Sequence, residues 1–336
     1  MKRSSTSLGL VIAVIAAATF GMSGAFIKPL LEAGWSPAAA VTARALIGGV
    51  VLLPIALVSL RGAWSALWRA RWRIVAMGLI GVAGTQLVYF AALQRIPVNT
   101  AILIEYMAPL LLVGFVWATS RRSPSAVVLI GSVVAVAGLG LVVSPGGSGS
   151  FDLLGLGFAA LATVGCAIYY VVAARPSDGL PPVALAACGL VLGGLVLGIA
   201  GVTGLVPFTA TFGAVHLLGT TVAWWVPLLI VGVLATAVAY ATSITATEML
   251  GSRLASFAGL LEVIAAALYA WILLGEDLTV PQLIGGMLIL AGIAFVRAEK
   301  RGAATMLEAG AIPEPAPAAS LAADSSLATP VESSGG

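Results

Sequence analysis

Ten apolar runs of 18 to 25 residues follow one another along this chain, and that succession leaves little choice of fold. They lie at 8–28, 37–60, 74–94, 99–119, 125–143, 152–174, 182–203, 222–246, 253–274 and 280–297. An α-helix needs about 20 such residues to cross a hydrocarbon core about 30 Å thick. Inside that core every backbone N–H and C=O must be satisfied internally, which only helices and closed barrels achieve. Charged residues make up 9% of the chain, against roughly 25% in an average soluble domain. Hydrophobic residues make up 60% and the mean hydropathy is +1.12, so a water-soluble globule is excluded. The expectation is an all-α membrane protein of ten transmembrane helices, whose function is to be sought inside the membrane.

Little of the usual catalytic material is present. Cys166 and Cys188 are the only cysteines, both in apolar runs, with neither a disulfide framework nor metal-ligand spacing; they read as packing residues. His216 is the single histidine and lies in a Gly/Thr-rich connection. There is no zinc motif, no Gly-x-Ser-x-Gly, no phosphate-binding glycine loop with lysine, and no aspartate pair within a span. No enzyme activity, metal or cofactor is expected, and no nucleic-acid partner.

Residues 1–27 resemble a signal peptide, because Lys2 and Arg3 precede an apolar run. A retained first span is the preferred reading, since that run is about 20 residues long and the segment 154–172 holds the same place in the second half. Past Arg301 the composition turns to Ala, Pro, Ser and Glu, and residues 301–336 are expected to form a disordered cytoplasmic tail. With loops assigned alternately to two sides, 13 of the 16 basic residues collect on one of them: Lys2, Arg3, Arg61, Arg69, Arg71, Arg73, Arg121, Arg122, Arg175, Arg253, Arg297, Lys300 and Arg301. The positive-inside rule then predicts a multi-pass protein of the bacterial-type inner membrane with both termini in the cytoplasm. In the loop Arg61–Arg73, Trp64, Trp68 and Trp72 are spaced four apart and would share one helix face, lying along the headgroups with arginines reaching anionic lipid.

The second half can be laid on the first at an offset of 154 residues, without gaps, from the third span onward. Gly78 then meets Gly232, Trp117 meets Trp271, Leu129-Ile130-Gly131 meets Leu283-Ile284-Gly285, and Ala137-Gly138 meets Ala291-Gly292. The units are 1–147 and 148–300, each of five spans. An odd span count inserts the halves with opposite orientation, and inverted repeats belong to transporters that alternate access around a midplane site.

Arg44, Glu105 and Glu262 sit well inside spans. Each charge would cost roughly 2.5–3.5 kcal/mol at a helix centre, so each should face a cavity or a partner. One reading makes Arg44 and Glu105 a buried pair that fixes packing, with Glu262 bonded to a neighbouring hydroxyl. In the other they line a substrate cavity, with the carboxylates meeting a substrate amine or a coupling proton. Gln86, Tyr89, Asn99, Tyr106, Tyr169, Tyr170, Tyr240, Thr242 and Ser243 lie near these positions and could coat the cavity or serve as interhelical glue. Pro109 removes a helix hydrogen bond in mid-span and is a candidate hinge. Gly189 with Gly193, and Gly194 with Gly198, allow close helix approach. Gly275 is expected to end the ninth span, and Thr279 with Gln282 to form a capping box for the tenth.

Leu261-Glu262, Trp271, Leu274-Gly275-Glu276, Gln282, Gly285, Ala43-Arg44 and Ala108-Pro109 make the chain resemble the ten-span drug/metabolite transporters of the EamA type, over about residues 8–297. In that family a proline usually follows the ninth-span glutamate; Val263 stands there, so the resemblance implies a kink in the first half only. Glu105, in Ile104-Glu105-Tyr106-Met107-Ala108-Pro109-Leu110, looks like the fourth-span glutamate of the threonine/homoserine exporter-like subgroup. What this implies is secondary transport, by export, of a small-molecule substrate such as an amino acid, with membrane lipid as the other partner. Organic cations and nucleotide sugars remain alternatives.

Overall fold

The computed structural model describes residues 2–96, 98–120, 124–143, 152–175, 179–274 and 279–308. Its helices in the first half are α1 (Lys2–Gly21), α2 (Ser23–Glu32), α3 (Pro37–Ser59), α4 (Trp64–Arg69), α5 (Arg71–Val75), α6 (Thr85–Leu93), α7 (Val98–Glu105), α8 (Ala108–Ser120) and α9 (Ala126–Val143). The second half holds α10 (Leu153–Ala174), α11 (Pro182–Val202), α12 (Trp225–Gly232), α13 (Ala239–Leu250), α14 (Ser252–Gly259), α15 (Leu261–Leu274) and α16 (Val280–Glu308), plus a hairpin of β1 (Ala214–Leu217) and β2 (Thr220–Ala223). Wide π-helical turns at Ala76–Gly84 and Val233–Val238 join α5 to α6 and α12 to α13.

Among the described residues eight helical stretches are long and apolar enough to cross a membrane, and two shorter apolar helices, Ala126–Leu141 and Val280–Val296, accompany them. These ten coincide with the ten apolar runs. The chemistry of their starts is local: Ser36 accepts the Ala39 amide with Pro37 at the first helical position, and Asp152 accepts the Gly155 amide at 2.9 Å. The capping box at α16 is present, Thr279 N–H donating to Gln282 Oε1 at 2.9 Å and Gln282 N–H to Thr279 Oγ1 at 3.4 Å. Gly275 lies outside the described residues.

Loop contacts follow the expected alternation between two ends. Arg95 pairs with Asp152 at one end (3.1 Å), where Trp35 Nε1 also donates to the Thr211 carbonyl oxygen (2.6 Å). At the other end Arg73 donates to the carbonyl oxygens of Val172 and Ala173 (3.0 and 3.2 Å). α1 packs against α13 and α15, so the first apolar run is built into the bundle.

Element boundaries repeat at the same 154-residue offset. α7 (Val98–Glu105) falls on α14 (Ser252–Gly259), the start of α9 on that of α16, and the end of the first π turn on that of the second. α9 and α16 cross through matching glycines. A Cβ on Gly292 would come 2.6 Å from the Gly131 carbonyl oxygen, and one on Gly138 would come 2.5 Å from that of Gly285. Because 131 corresponds to 285 and 138 to 292, the contact exchanges equivalent positions, as across a two-fold axis.

Several expectations need correction. The eighth span begins at Trp225, not 222, because residues 220–223 pair in the hairpin, closed by Leu218 and Gly219 at positive φ (50° and 78°). His216 sits on that hairpin, and among the described residues its two strands are the exception to an all-α fold. The tryptophan segment is two short helices broken at Ala70 rather than one. The interruption expected in the first half alone occurs in both: α7 ends before Tyr106, and α14 ends before Leu260 although no proline follows Glu262. At the second break Gly259 packs so closely on the Tyr170 hydroxyl that a side chain there would collide, and Leu260 N–H turns to the Phe257 carbonyl three residues back (3.1 Å). α16 runs on to Glu308, past the boundary expected at Arg301, and residues 309–336 lie outside the described residues.

Candidate functional site

One cavity of about 320 Å³ occupies the middle of the bundle, at the lower end of the range typical of small-molecule sites. α1, α3, α10 and the four interrupted or widened helices of the two halves all contribute to it. Arg44, Gln86, Tyr89, Glu105, Tyr106, Tyr240 and Glu262 all line it, as do Pro109, Tyr169, Tyr170 and Ser243. Thr242 instead donates to the carbonyl oxygens of Val238 and Ala239 in its own helix (2.7 and 3.1 Å). The side chain of Asn99 lies outside the described residues.

The lining is drawn from equivalent positions of the two halves. Gln86 corresponds to Tyr240, Tyr89 to Ser243, Ile102 to Ser256, Glu105 to Gly259, Tyr106 to Leu260 and Ala108 to Glu262, and all twelve face the cavity. The π turns and the helix breaks lie beside these residues. A π turn admits one extra residue and rotates the helix beyond it, so side chains of α6 and α13 reach inward where a regular helix would aim them elsewhere.

Charge is distributed unevenly. Arg44 Nη1 donates to Ser23 Oγ at 3.3 Å, while its buried Nε has no hydrogen-bond partner. Arg44 is near enough to act electrostatically on both Glu105 and Glu262. Among the described residues no ion pair within 4 Å joins it to either carboxylate, so the buried pair that would merely fix packing is not formed. The Tyr106 hydroxyl and the Glu262 carboxylate, from different halves, lie near enough to act on each other electrostatically. A tyrosine cluster closes one wall: Tyr169 OH donates to Ser243 Oγ (2.9 Å), and Tyr169 meets Tyr170 and Tyr240 edge-on at 5.2 and 5.9 Å between ring centroids. Phe20 adds a further edge-on contact with Tyr240 at 5.1 Å. A guanidinium, two carboxylates and a ring of aromatic faces can together hold a small ligand carrying both charge signs.

Sequence reasoning missed Ser23, Thr85, Thr247 and Ser256, and read Cys166 as packing although it also borders the cavity. Thr85 closes the first π turn by donating to the Ile80 carbonyl oxygen five residues back (2.7 Å). A hydroxyl in an apolar run is the only signal such residues give, and it is shared with residues that bond their own helix, as Thr242 does.

The sequence profile of the EamA-like transporter family matches twice, over residues 7–144 and 153–298. The uncharacterized inner membrane transporter YicL of Salmonella typhimurium is 22% identical over 303 residues, which is 88% of this chain and 97% of that protein. An uncharacterized transporter of Archaeoglobus fulgidus is 27% identical over 205 residues, covering 61% of this chain and 69% of its own length. A solved crystal structure superposes with a TM-score of 0.70 at 21% identity over 89% of this chain and 98% of the other, a likeness of fold. Two consecutive profile matches that between them span nearly all the apolar runs leave one conclusion: the chain belongs to the EamA-like transporter family.

Proposed function

We propose that this chain is a secondary transporter of small polar metabolites, amino acids foremost, working by export across a bacterial inner membrane. Its ten helices form two inverted five-helix repeats with both termini in the cytoplasm. The central cavity is exposed alternately to the two sides. The observation that carries this reading is the cavity itself: repeat-equivalent residues line it, and among the described residues no ion pair within 4 Å engages its charges. Charges buried without partners are costly, and in a membrane they mark substrate or ion pathways. Arg44 would take a substrate carboxylate, Glu105 a substrate amine or a coupling proton, and Glu262 the same role or that of an acceptor for Tyr106. Organic cations are the second reading, favoured by the two carboxylates and the tyrosine faces, which would bind a cation without needing Arg44.

Uptake of labelled amino acids and small amines into proteoliposomes tests this, with Glu105→Gln and Arg44→Ala beside wild type. Movement of a zwitterion that both variants lose while remaining folded is the expected result. Transport of amines that survives Arg44→Ala would favour the cation reading, and transport surviving in both variants would make the charges structural.

A further inference from the structure

The segment 61–73 links two membrane-length helices, so it lies where both leave the hydrocarbon. Its inner face is fixed: Ala66 and Ala70 are buried with Leu60, Leu180, Ala184 and Leu185. Its outer face is not covered. Trp64, Trp68 and Trp72 are 54%, 73% and 69% exposed, beside exposed Arg61, Arg69 and Arg71. The Arg71 guanidinium lies over the rings of Trp68 and Trp72, 4.9 and 5.7 Å from their centroids, and donates to the Trp68 carbonyl oxygen at 2.9 Å. Held in this way it is a preorganised fork of the kind that matches phosphate oxygens. No acidic residue occurs between 61 and 73; the facing loop adds exposed Arg175, and Asp178, which lies outside the described residues.

We propose that this ledge is a docking site for anionic phospholipid headgroups, independent of what the cavity carries. Indoles settle at the glycerol and headgroup level, and arginines beside them draw a phosphate diester with net negative charge rather than a zwitterionic lipid. A second copy of the chain is a poor occupant, because a two-fold contact through this face would set like charges against each other. The site also reaches the cavity. α5 leads straight into the π turn and α6, and Arg73 ties it to the last carbonyls of α10, which carries Cys166, Tyr169 and Tyr170 into the cavity wall. A headgroup on the ledge therefore bears on two cavity helices.

The test is photolabelling of the full chain in nanodiscs with phosphatidylglycerol or phosphatidylcholine carrying a diazirine in the headgroup, adducts being mapped by peptide mass spectrometry. Wild type is expected to label at 61–73 preferentially with phosphatidylglycerol. Arg61→Gln and Arg71→Gln should each lower that preference about fivefold, Arg71→Lys, which keeps the charge but loses the fork, should lower it by less, and Arg95→Gln, at the opposite end, leaves it unchanged. Equal labelling by the two lipids, or a preference unmoved by the ledge variants, overturns the proposal. So does full competition by inorganic phosphate, or crosslinking of one copy to another through the ledge. Because the readout needs no transported substrate, failure here is distinct from failure of the transport reading.

Discussion

The two halves of this protein share a backbone plan and differ in cavity chemistry. Both carry a π turn, then a short helix, then a break, then a glycine crossing, in one register. Yet at equivalent positions the first half offers Gln86, Tyr89, Glu105 and Tyr106 where the second offers Tyr240, Ser243, Gly259 and Leu260, and Glu262 stands where the first half has Ala108. Packing constraints act on both halves alike where equivalent glycines meet, Gly131 with Gly292 and Gly138 with Gly285. The two halves meet in one shared cavity, so the side chains each turns toward it are free to diverge.

Making the halves alike should therefore be most damaging in the cavity. Glu105→Gly, the residue of the second half, and Glu262→Ala, the residue of the first, are each expected to reduce proteoliposome transport on the order of a hundredfold, the usual penalty for truncating a desolvated charged contact. Retained transport in either would show that one carboxylate suffices. Next comes the shared backbone: Gly292→Leu should lower unfolding stability in detergent by about 3 kcal/mol, because the clash is with backbone. Gly140→Leu, where no atom lies within 4 Å, should cost almost nothing, and equal losses would mean that the crossing is not specifically tight.

Smaller effects separate the two π turns. Thr85→Val should cost about 0.6 kcal/mol by freeing the Ile80 carbonyl. The second turn has Ala239 in that place and a buried Thr236 hydroxyl without a partner, so Thr236→Val should be neutral or stabilising. The smallest effect concerns the cap of α10. The Gly155 amide, and after it Arg95, hold the Asp152 carboxyl below the usual carboxylate range. Its stabilising contribution is therefore complete above the ordinary Asp value, about 4, and is lost as pH falls through the lowered one. Asp152→Asn should reduce the melting temperature slightly at neutral pH and leave it unchanged at the acid end; a difference that persists in strong acid would count against the ionised cap.

Span positions, repeat register and the three charged cavity side chains, Arg44, Glu105 and Glu262, could be read from the chain because each has a one-dimensional signal. Apolar length marks a span, matching small residues mark the register, and a charge amid apolar residues marks a cavity. The π turns and the second helix break have no such signal. The break near Pro109 was legible because proline lacks an N–H, whereas the one at Leu260 has no proline and sits where Gly259 meets Tyr170, 89 residues earlier in the chain. The hairpin was hidden for a similar reason: Val215 and Leu217 are buried against Leu30, Phe26 and Leu228, and that pairing exists only once distant segments have assembled.

That assembly has an order in time. The connection between α11 and α12 is sewn to the start of α3 by Thr209 and Ser36, by Thr211 and Ala33, and by the rings of Trp35, Phe212 and Trp224. These partners are more than 170 residues apart, so during synthesis Trp35 and its neighbours emerge long before anything can cover them. The first half must wait at the membrane surface with those groups wet, and the seal closes only when the later helices have been inserted. A ribosome stalled midway through the second half would thus leave a chain marked by an open indole at one end of the bundle, a difference by which finished and unfinished copies could be told apart.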